Sequence, residues 1–443
     1  MPAHSPVPVP VARAVLRTLG LSLVLLPVGL VAHQPRPAIA GALLGRPASG
    51  APVTSWSRVA NRHRTPTPTP TRTPAPTSTP PPPTSTPPSA TSTPAPTSTA
   101  IPVGTPTSAI AGLHVSGNQL LNGANQPVVL RGVDRSGTEY ACVQGWGIFD
   151  GPSDATSVQA IAAWHTNAVR VPLNEDCWLG INGVNPAYAG AAYQQAIANY
   201  VGLLNQYGLV AILDLHWSAP GTAAATGQQP MPDQDHAPAF WSSVASYFKN
   251  NSAVVFDLFN EPYPDNNQDT TAGWQCWRDG GACPGVSFQA AGMQELVTAV
   301  RSTGATNVIM LGGLEYANAL SRWLTYKPSD PTGNLAASWH SYNFNLCNNT
   351  TCWDNTVAPV AQQVPLIAGE IGENDCADGY LNTLLPWLDS HNQSYLAWTW
   401  DTWNCASGPA LIADYSGTPT NYGVGYRDHL AALASGPTAT PTG

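Results

Sequence analysis

Leu209-Val210-Ala211-Ile212-Leu213-Asp214-Leu215-His216 is apolar on both alternating parities until polar residues enter at its end. A strand buried on both faces reads this way, because neither side meets water. Seven other runs are likewise mostly apolar on both parities: 128–133, 168–173, 254–260, 307–312, 335–340, 365–370 and 394–400. Helix-like stretches lie between them, among them 191–207, 237–248, 288–301 and 380–388. Strand then helix, eight times over about 300 residues, predicts an α/β fold of the (β/α)8 barrel type. An open doubly wound sheet would also alternate, but no Gly-x-Gly-x-x-Gly follows the first run, so a dinucleotide fold has little support.

Barrels of this type place their chemistry at the C-terminal ends of the strands. The polar residues there form one set. Arg170 lies in the second run, Asp214 and His216 close the third, and Asn260 and Glu261 follow the fourth. His340 ends the sixth, Glu370 the seventh and Trp400 the eighth. Glu261 and Glu370 would face each other across the ring. Two such carboxylates suit glycosidic bond cleavage, where one must be protonated to assist the leaving oxygen and the other ionised to attack the anomeric carbon.

The rest of the chain bounds the reading. Only 10% of its 443 residues are charged, against about 25% in an ordinary globular domain. Eight of the 17 basic residues lie in the first 72, and no acidic residue precedes Asp134. From Ser108 onward nine basic residues stand against 26 acidic, a net of −17. A surface that negative repels phosphate backbones and anionic lipid, so neither nucleic acid nor a membrane surface is an expected partner. Arg13 and Arg17 precede a 14-residue apolar run, 19–32, and Ala38-Ile39-Ala40 follows. That is the layout of an export signal over 1–40, and the run is short for a spanning helix, so no membrane contact is expected once the signal is cleaved.

Residues 41–64 form a short segment with no period, and 65–109 a Pro/Thr-rich linker with 15 prolines between Thr65 and Thr107. Proline removes backbone donors and fixes φ, which favours extended polyproline II over packing. The same composition returns in 435–443, the expected start of a second linker-like tail whose downstream module is lost or truncated. The catalytic domain is therefore expected over 110–434, and the enzyme is expected outside the cell.

All eight cysteines fall inside that domain, and each follows a strand. An even count in an exported chain argues for disulfides, and no paired Cys-x-x-Cys motif suggests zinc. Pairs within one loop or between adjacent loops are close enough to bridge. These are Cys142 with Cys177, Cys276 with Cys283, Cys347 with Cys352, and Cys376 with Cys405. Asp265, Asn267 and Asp269 have calcium-loop spacing but lack the turn glycine and distal glutamate. No metal and no cofactor is expected.

Phe259-Asn260-Glu261-Pro262 and Ala368-Gly369-Glu370-Ile371-Gly372 resemble the strand ends of glycoside hydrolase family 5, a family of retaining β-glycanases that includes cellulases and mannanases. Val169-Arg170-Val171-Pro172, Leu213-Asp214-Leu215-His216, Trp339-His340-Ser341-Tyr342 and the Trp-rich eighth strand add to the resemblance. The segment from Gly123 to Gly132 is similar to that family's hairpin before the first strand. The resemblance implies that Glu261 is the acid/base and Glu370 the nucleophile. It also implies that Asn260 binds the sugar 2-hydroxyl, Tyr342 hydrogen-bonds the nucleophile and His340 sits beside the acid/base. Arg170 would hold Glu370 ionised, while His216 and Trp400 would line the cleaving subsite; Trp398 shares the parity of Trp400. The sequence departs from the common pattern at Gly132-Val133-Asp134, with Asp where Asn is usual, and in the loop Glu139-Tyr140-Ala141-Cys142.

Trp146, Trp178, Trp217, Trp274, Trp277, Trp353 and Trp403 follow strands, where indoles can stack on pyranose rings; Trp178 and Trp217 are the expected sugar platforms. Trp164, Trp241 and Trp387 lie in helices and are expected in the core. Glu315 and Glu373 are expected to support loops or touch substrate. Together these features predict a monomeric endo-β-1,4-glycanase. Cellulose or mixed-linkage glucan is the first substrate and mannan the second. A non-catalytic binding protein on the same barrel would lack one of the two glutamates, and both are present.

Overall fold

The computed structural model describes residues 106–107, 109–404 and 408–436. The expected signal over 1–40, the segment 41–64, nearly all of the linker and the tail from 437 lie outside the described residues. Eight parallel strands close into a barrel. They are β1 (Arg131–Asp134), β2 (Ala168–Asn174), β3 (Val210–Trp217), β4 (Val254–Asp257), β5 (Ile309–Gly312), β6 (Leu335–Tyr342), β7 (Leu366–Gly372) and β8 (Ser394–Ala397). Each pairs with its neighbours in chain order, and β8 returns to β1. All eight runs read from the sequence are present. Among the described residues no helix is long and apolar enough to cross a membrane.

The parity of each strand divides the apolar residues into two cores. Outward positions such as Val169, Val171, Leu213, Leu215, Phe256 and Leu311 pack against the surrounding helices. Inward positions near the strand starts, including Leu130, Ala168, Ile212, Val255, Met310, Ile367 and Leu396, fill the barrel's lower half. Leu120 of the antiparallel hairpin His114–Ser116 and Gln119–Leu121, with Leu113 just before it, joins that inner cluster and closes the bottom. Further along the same inward parity the side chains become Asp134, Arg170, Asp214 and Asp257, all fully buried. The barrel interior thus changes from hydrocarbon to charge toward its upper end.

Strand β7 contains the irregularity that aims Glu370. Ala368 and Ile371 both pack in the outer core although they differ in parity. The register against both β6 and β8 slips between them. A bulge places an extra residue there, and Gly369 with Glu370 occupies the inner side. A Cβ at Gly369 would lie 2.8 Å from Ser338 Oγ and 3.0 Å from His340 Nε2, so glycine makes the room beside the glutamate.

Disulfides tie the loops at the upper face. Cys142–Cys177 links the loop after β1 to that after β2, while Cys276–Cys283 and Cys347–Cys352 close short loops. Cys376 is also disulfide-bonded, and its expected partner, Cys405, lies outside the described residues.

Candidate active site

Arg170 is the centre of the charged layer. Its guanidinium reaches Asp134 at 3.1 Å, Asp214 at 3.0 Å, Asp257 at 2.9 Å and Glu370 at 3.0 Å. It also donates to Asn260 Oδ1 at 2.9 Å. Four carboxylates around one cation cannot all be ionised cheaply out of water. Burial pushes Asp214 and Asp257 up to about 7, with Arg170 opposing, and raises Asp134 well above the usual carboxylate range. His216 is driven down to about 3, chiefly by burial, and is neutral at ordinary pH; its Nδ1 meets Asp214 at 2.7 Å.

Above this layer the two glutamates meet. Glu370 Oε1 takes Arg170, and its Oε2 accepts from the Tyr342 hydroxyl at 2.5 Å. Burial keeps that phenol protonated, so it acts as a donor. Glu261 Oε1 lies 3.1 Å from His340 Nδ1, and its Oε2 accepts from Gln228 Nε2 at 2.7 Å. His340 Nδ1 is also 3.6 Å from Glu370 Oε2, so this one nitrogen lies between the two carboxyl groups. Carboxylate oxygens of the two glutamates and the imidazole nitrogen lie within 4.8 Å of one another. Both glutamates are only 4% exposed. Asn260 must turn its oxygen toward Arg170, which has only donors. Its amide nitrogen is thereby left buried without a partner.

Arg170, His216, Asn260, Glu261, His340, Tyr342 and Glu370 are therefore brought together at one end of the barrel. The tryptophans divide differently from expectation. Trp400 is fully buried and packs edge-on against Trp164 at 4.8 Å, while Trp398 stacks on His216 at 5.4 Å and 8°. Trp398, not Trp400, is the indole of the site.

Trp178 is not a surface platform either. Asn174 caps the short helix Glu175–Leu179 by accepting from Cys177 N, and that helix turns the indole inward. There it packs on Tyr193, Phe240 and Phe248 and donates to Ser243 Oγ at 3.0 Å. Trp274, Trp277 and Trp353 are likewise fully buried. The remaining three converge on Tyr140: Trp146 at 5.8 Å, Trp217 at 6.1 Å and Trp403 at 6.3 Å. Trp403 continues to Trp398 at 6.2 Å, so aromatic contacts run from the site to Trp146, which is 64% exposed, while Tyr140, Trp398 and the expected platform Trp217 are themselves buried. Tyr140 and Gln228 have no sequence motif, and only the folded loops reveal them.

The other candidates are occupied elsewhere. Glu373 accepts from Tyr380 N and Leu381 N at the start of the helix Leu381–Ser390. Glu315 is half-buried beyond β5. Asp265 accepts from Thr270 and Asp269 from Trp274, so their oxygens brace the loop. Two groups among the described residues have donor atoms close enough to hold a metal ion: Glu261 with His340 and Glu370, and Glu175 with Asp233 and His236. In the first, Arg170, Tyr342 and Gln228 already donate to three of the four glutamate oxygens, which leaves little for a cation.

Glu139, in the loop after β1, is fully buried, accepts from Gly137 N at 2.6 Å, and has one oxygen without a partner. Burial, reinforced by Asp401 and Asp214, pushes it to about 8. The folded chain therefore keeps this proton between about pH 4.5 and 8 while the unfolded chain releases it, so stability falls as pH rises through that window. Asp214 and Asp257 act in the same direction up to about 7. The melting temperature should be several degrees higher at pH 5 than at pH 8.5, and Glu139→Gln should flatten part of that slope. Thermal melts across pH check this; an unchanged slope in the variant would contradict the assignment.

The chain matches a family model described as Cellulase (glycosyl hydrolase family 5) over residues 121–406. It is 23% identical over 297 residues to a mannan endo-1,4-beta-mannosidase of Salipaludibacillus agaradhaerens, covering 66% of this chain and 82% of that protein. It is 24% identical over 358 residues to endoglucanase CelA of Streptomyces lividans, covering 76% and 68%. Among solved structures, the beta-glucanase SdGluc5_26A of Saccharophagus degradans superposes with a TM-score of 0.54 at 20% identity, covering 72% of this chain and 92% of that one. That last likeness concerns the fold.

Proposed function

This chain belongs to glycosyl hydrolase family 5, and from that premise we propose that Glu370 is its nucleophile and Glu261 its acid/base in a retaining cleavage of β-1,4-linked polysaccharide. The observation that carries the reading is the approach of the two glutamates. One carboxylate oxygen of each lies within 4.8 Å of one of the other's, an approach that supports a retaining pair, about 5–5.5 Å apart, over an inverting pair, about 6.5–9.5 Å apart.

The contacts divide the labour. Arg170 and Tyr342 both donate to Glu370 and fix its two oxygens at the strand end. A Glu370 oxygen attacks the anomeric carbon while the bond to the departing oxygen breaks, and that oxygen takes the proton of Glu261. Glu261, now ionised, removes a proton from water. The water oxygen then attacks the same carbon, breaking its bond to Glu370 and restoring both side chains. His340 holds Glu261 in line with Glu370, and Gln228 fixes its second oxygen. The unpartnered amide of Asn260 supplies a donor for the sugar 2-hydroxyl next to the reacting carbon. His216 and Trp398 form the floor of the cleaving subsite.

Trp146 is exposed and Trp403 half-buried beside the buried Trp398, and aromatic surface outside the cleaving subsite supports cleavage within a polymer. Phe344, stacked on Tyr342 at 5.1 Å and 41% exposed, extends the apolar surface on another side. Cellulose or mixed-linkage β-glucan is the proposed substrate. The mannosidase among the relatives makes mannan the second reading. The apparent export signal and the loop disulfides support action outside the cell. Reducing ends should appear fastest from carboxymethylcellulose or barley glucan in a panel that includes mannan and xylan; faster release from mannan would reverse the order of the two readings.

A further inference from the structure

A second cluster of ligating side chains lies outside the proposed reaction. Glu175 opens the short helix after β2, while Asp233 and His236 stand at the far end of the loop after β3, just before the helix Ala237–Phe248. One donor atom from each lies within 4.8 Å of the other two. Glu175 comes from a different loop, so no local motif announces the cluster.

Both carboxylates are fully buried, and each has one oxygen without a donor, Glu175 Oε1 and Asp233 Oδ2. The other oxygens are accounted for: Glu175 Oε2 accepts from Ala219 N at 3.3 Å, and Asp233 Oδ1 from His236 N at 2.9 Å. The ion pairs among the described residues give neither acid a lysine or arginine; His236 Nδ1 is 3.3 Å from Asp233 Oδ1, and the remaining ionisable neighbours are acids, since Glu175 and Asp233 meet each other and Asp235 also meets Asp233. That imidazole is also 3.3 Å from the Ala219 carbonyl, and its side chain is 21% exposed. Solvent therefore reaches one side of the cluster.

Two carboxylates buried face to face with free oxygens need a positive charge or a shared proton between them. We propose that Glu175, Asp233 and His236 bind a divalent cation of the zinc class. Two carboxylates and one imidazole are a donor set that suits zinc, and the open side leaves a position for water. Calcium and magnesium prefer oxygen ligands throughout.

The cation would staple the loop after β2 to the loop after β3. That second loop is the one that carries Gln228 to Glu261. Around Asp233 it also pairs with the hairpin strand Gln289–Ala291, through an isolated bridge to Ala290 and the Ala291 N to Pro232 carbonyl bond at 2.9 Å. The site does not depend on the roles assigned to Glu261 and Glu370.

The full chain is stripped with chelator, exposed to equal zinc, manganese, calcium and magnesium, desalted, and analysed for retained metal and melting temperature. About one zinc per chain should remain, with the midpoint raised by roughly 5 °C at saturating zinc. Asp233→Asn and His236→Gln, each first shown to melt cooperatively, should retain at least ten-fold less zinc and lose the thermal shift. Glu261→Gln should retain zinc like the parent, which places the ion away from the catalytic pair. The proposal is overturned if the parent retains no zinc, which leaves Glu175 and Asp233 sharing a proton. Equal retention by both site variants, loss of zinc in Glu261→Gln, or preference for calcium or magnesium overturns it as well.

Discussion

Glu370→Ala should lose turnover on every substrate, by roughly 10⁵–10⁶-fold, the scale seen when a covalent nucleophile is removed. No glycosyl-enzyme can form without its carboxylate, so even a substrate with an excellent leaving group gains nothing. The fold should survive, because Arg170 still pairs with Asp134, Asp214 and Asp257. Azide can enter the space left by the carboxylate and attack from that face, giving a glycosyl azide of inverted configuration. Substantial residual activity, or an azide product of retained configuration, would remove Glu370 from the nucleophile's place.

Glu261→Ala should behave differently, and the difference is diagnostic. On polysaccharide the departing oxygen needs a proton, so the rate should fall by about 10²–10⁴-fold. A dinitrophenyl glycoside needs little protonation and should still glycosylate Glu370. The intermediate should then accumulate, since water has lost its base, and a burst of dinitrophenol should precede slow release. Azide needs no base and should accelerate that release with retained configuration. Pre-steady-state absorbance and product stereochemistry measure both effects; a variant that lost aryl glycosides and polymer alike would speak against an acid/base role.

The barrel was legible in the sequence because its strands are buried on both faces, so each run is mostly apolar. The polar residues that close most of those runs, His216 through Glu370, were legible for the same reason, and Arg170 because it stands alone among apolar neighbours inside the second run. Trp400 was not, because β8 ends at Ala397 and the alternation that would place both Trp398 and Trp400 on one face lapses beyond it. Trp178, Trp274 and Trp277 were misplaced because short helices sit inside the upper loops and turn their indoles inward; only tertiary packing decides that. Gln228, Glu139 and the trio Glu175, Asp233 and His236 carry no spacing signal at all. Their meaning arises from loops folding against one another.

The anomer released first is the most direct measurement of the central claim, that Glu261 and Glu370 act as a retaining pair. Proton NMR of a cello-oligosaccharide digest, recorded within minutes and before mutarotation, reads the configuration of the new reducing end. Double displacement through Glu370 predicts the β-anomer first, with the α-anomer appearing later at the mutarotation rate. An α-anomer from the earliest spectra would mean single displacement by water and would contradict the account.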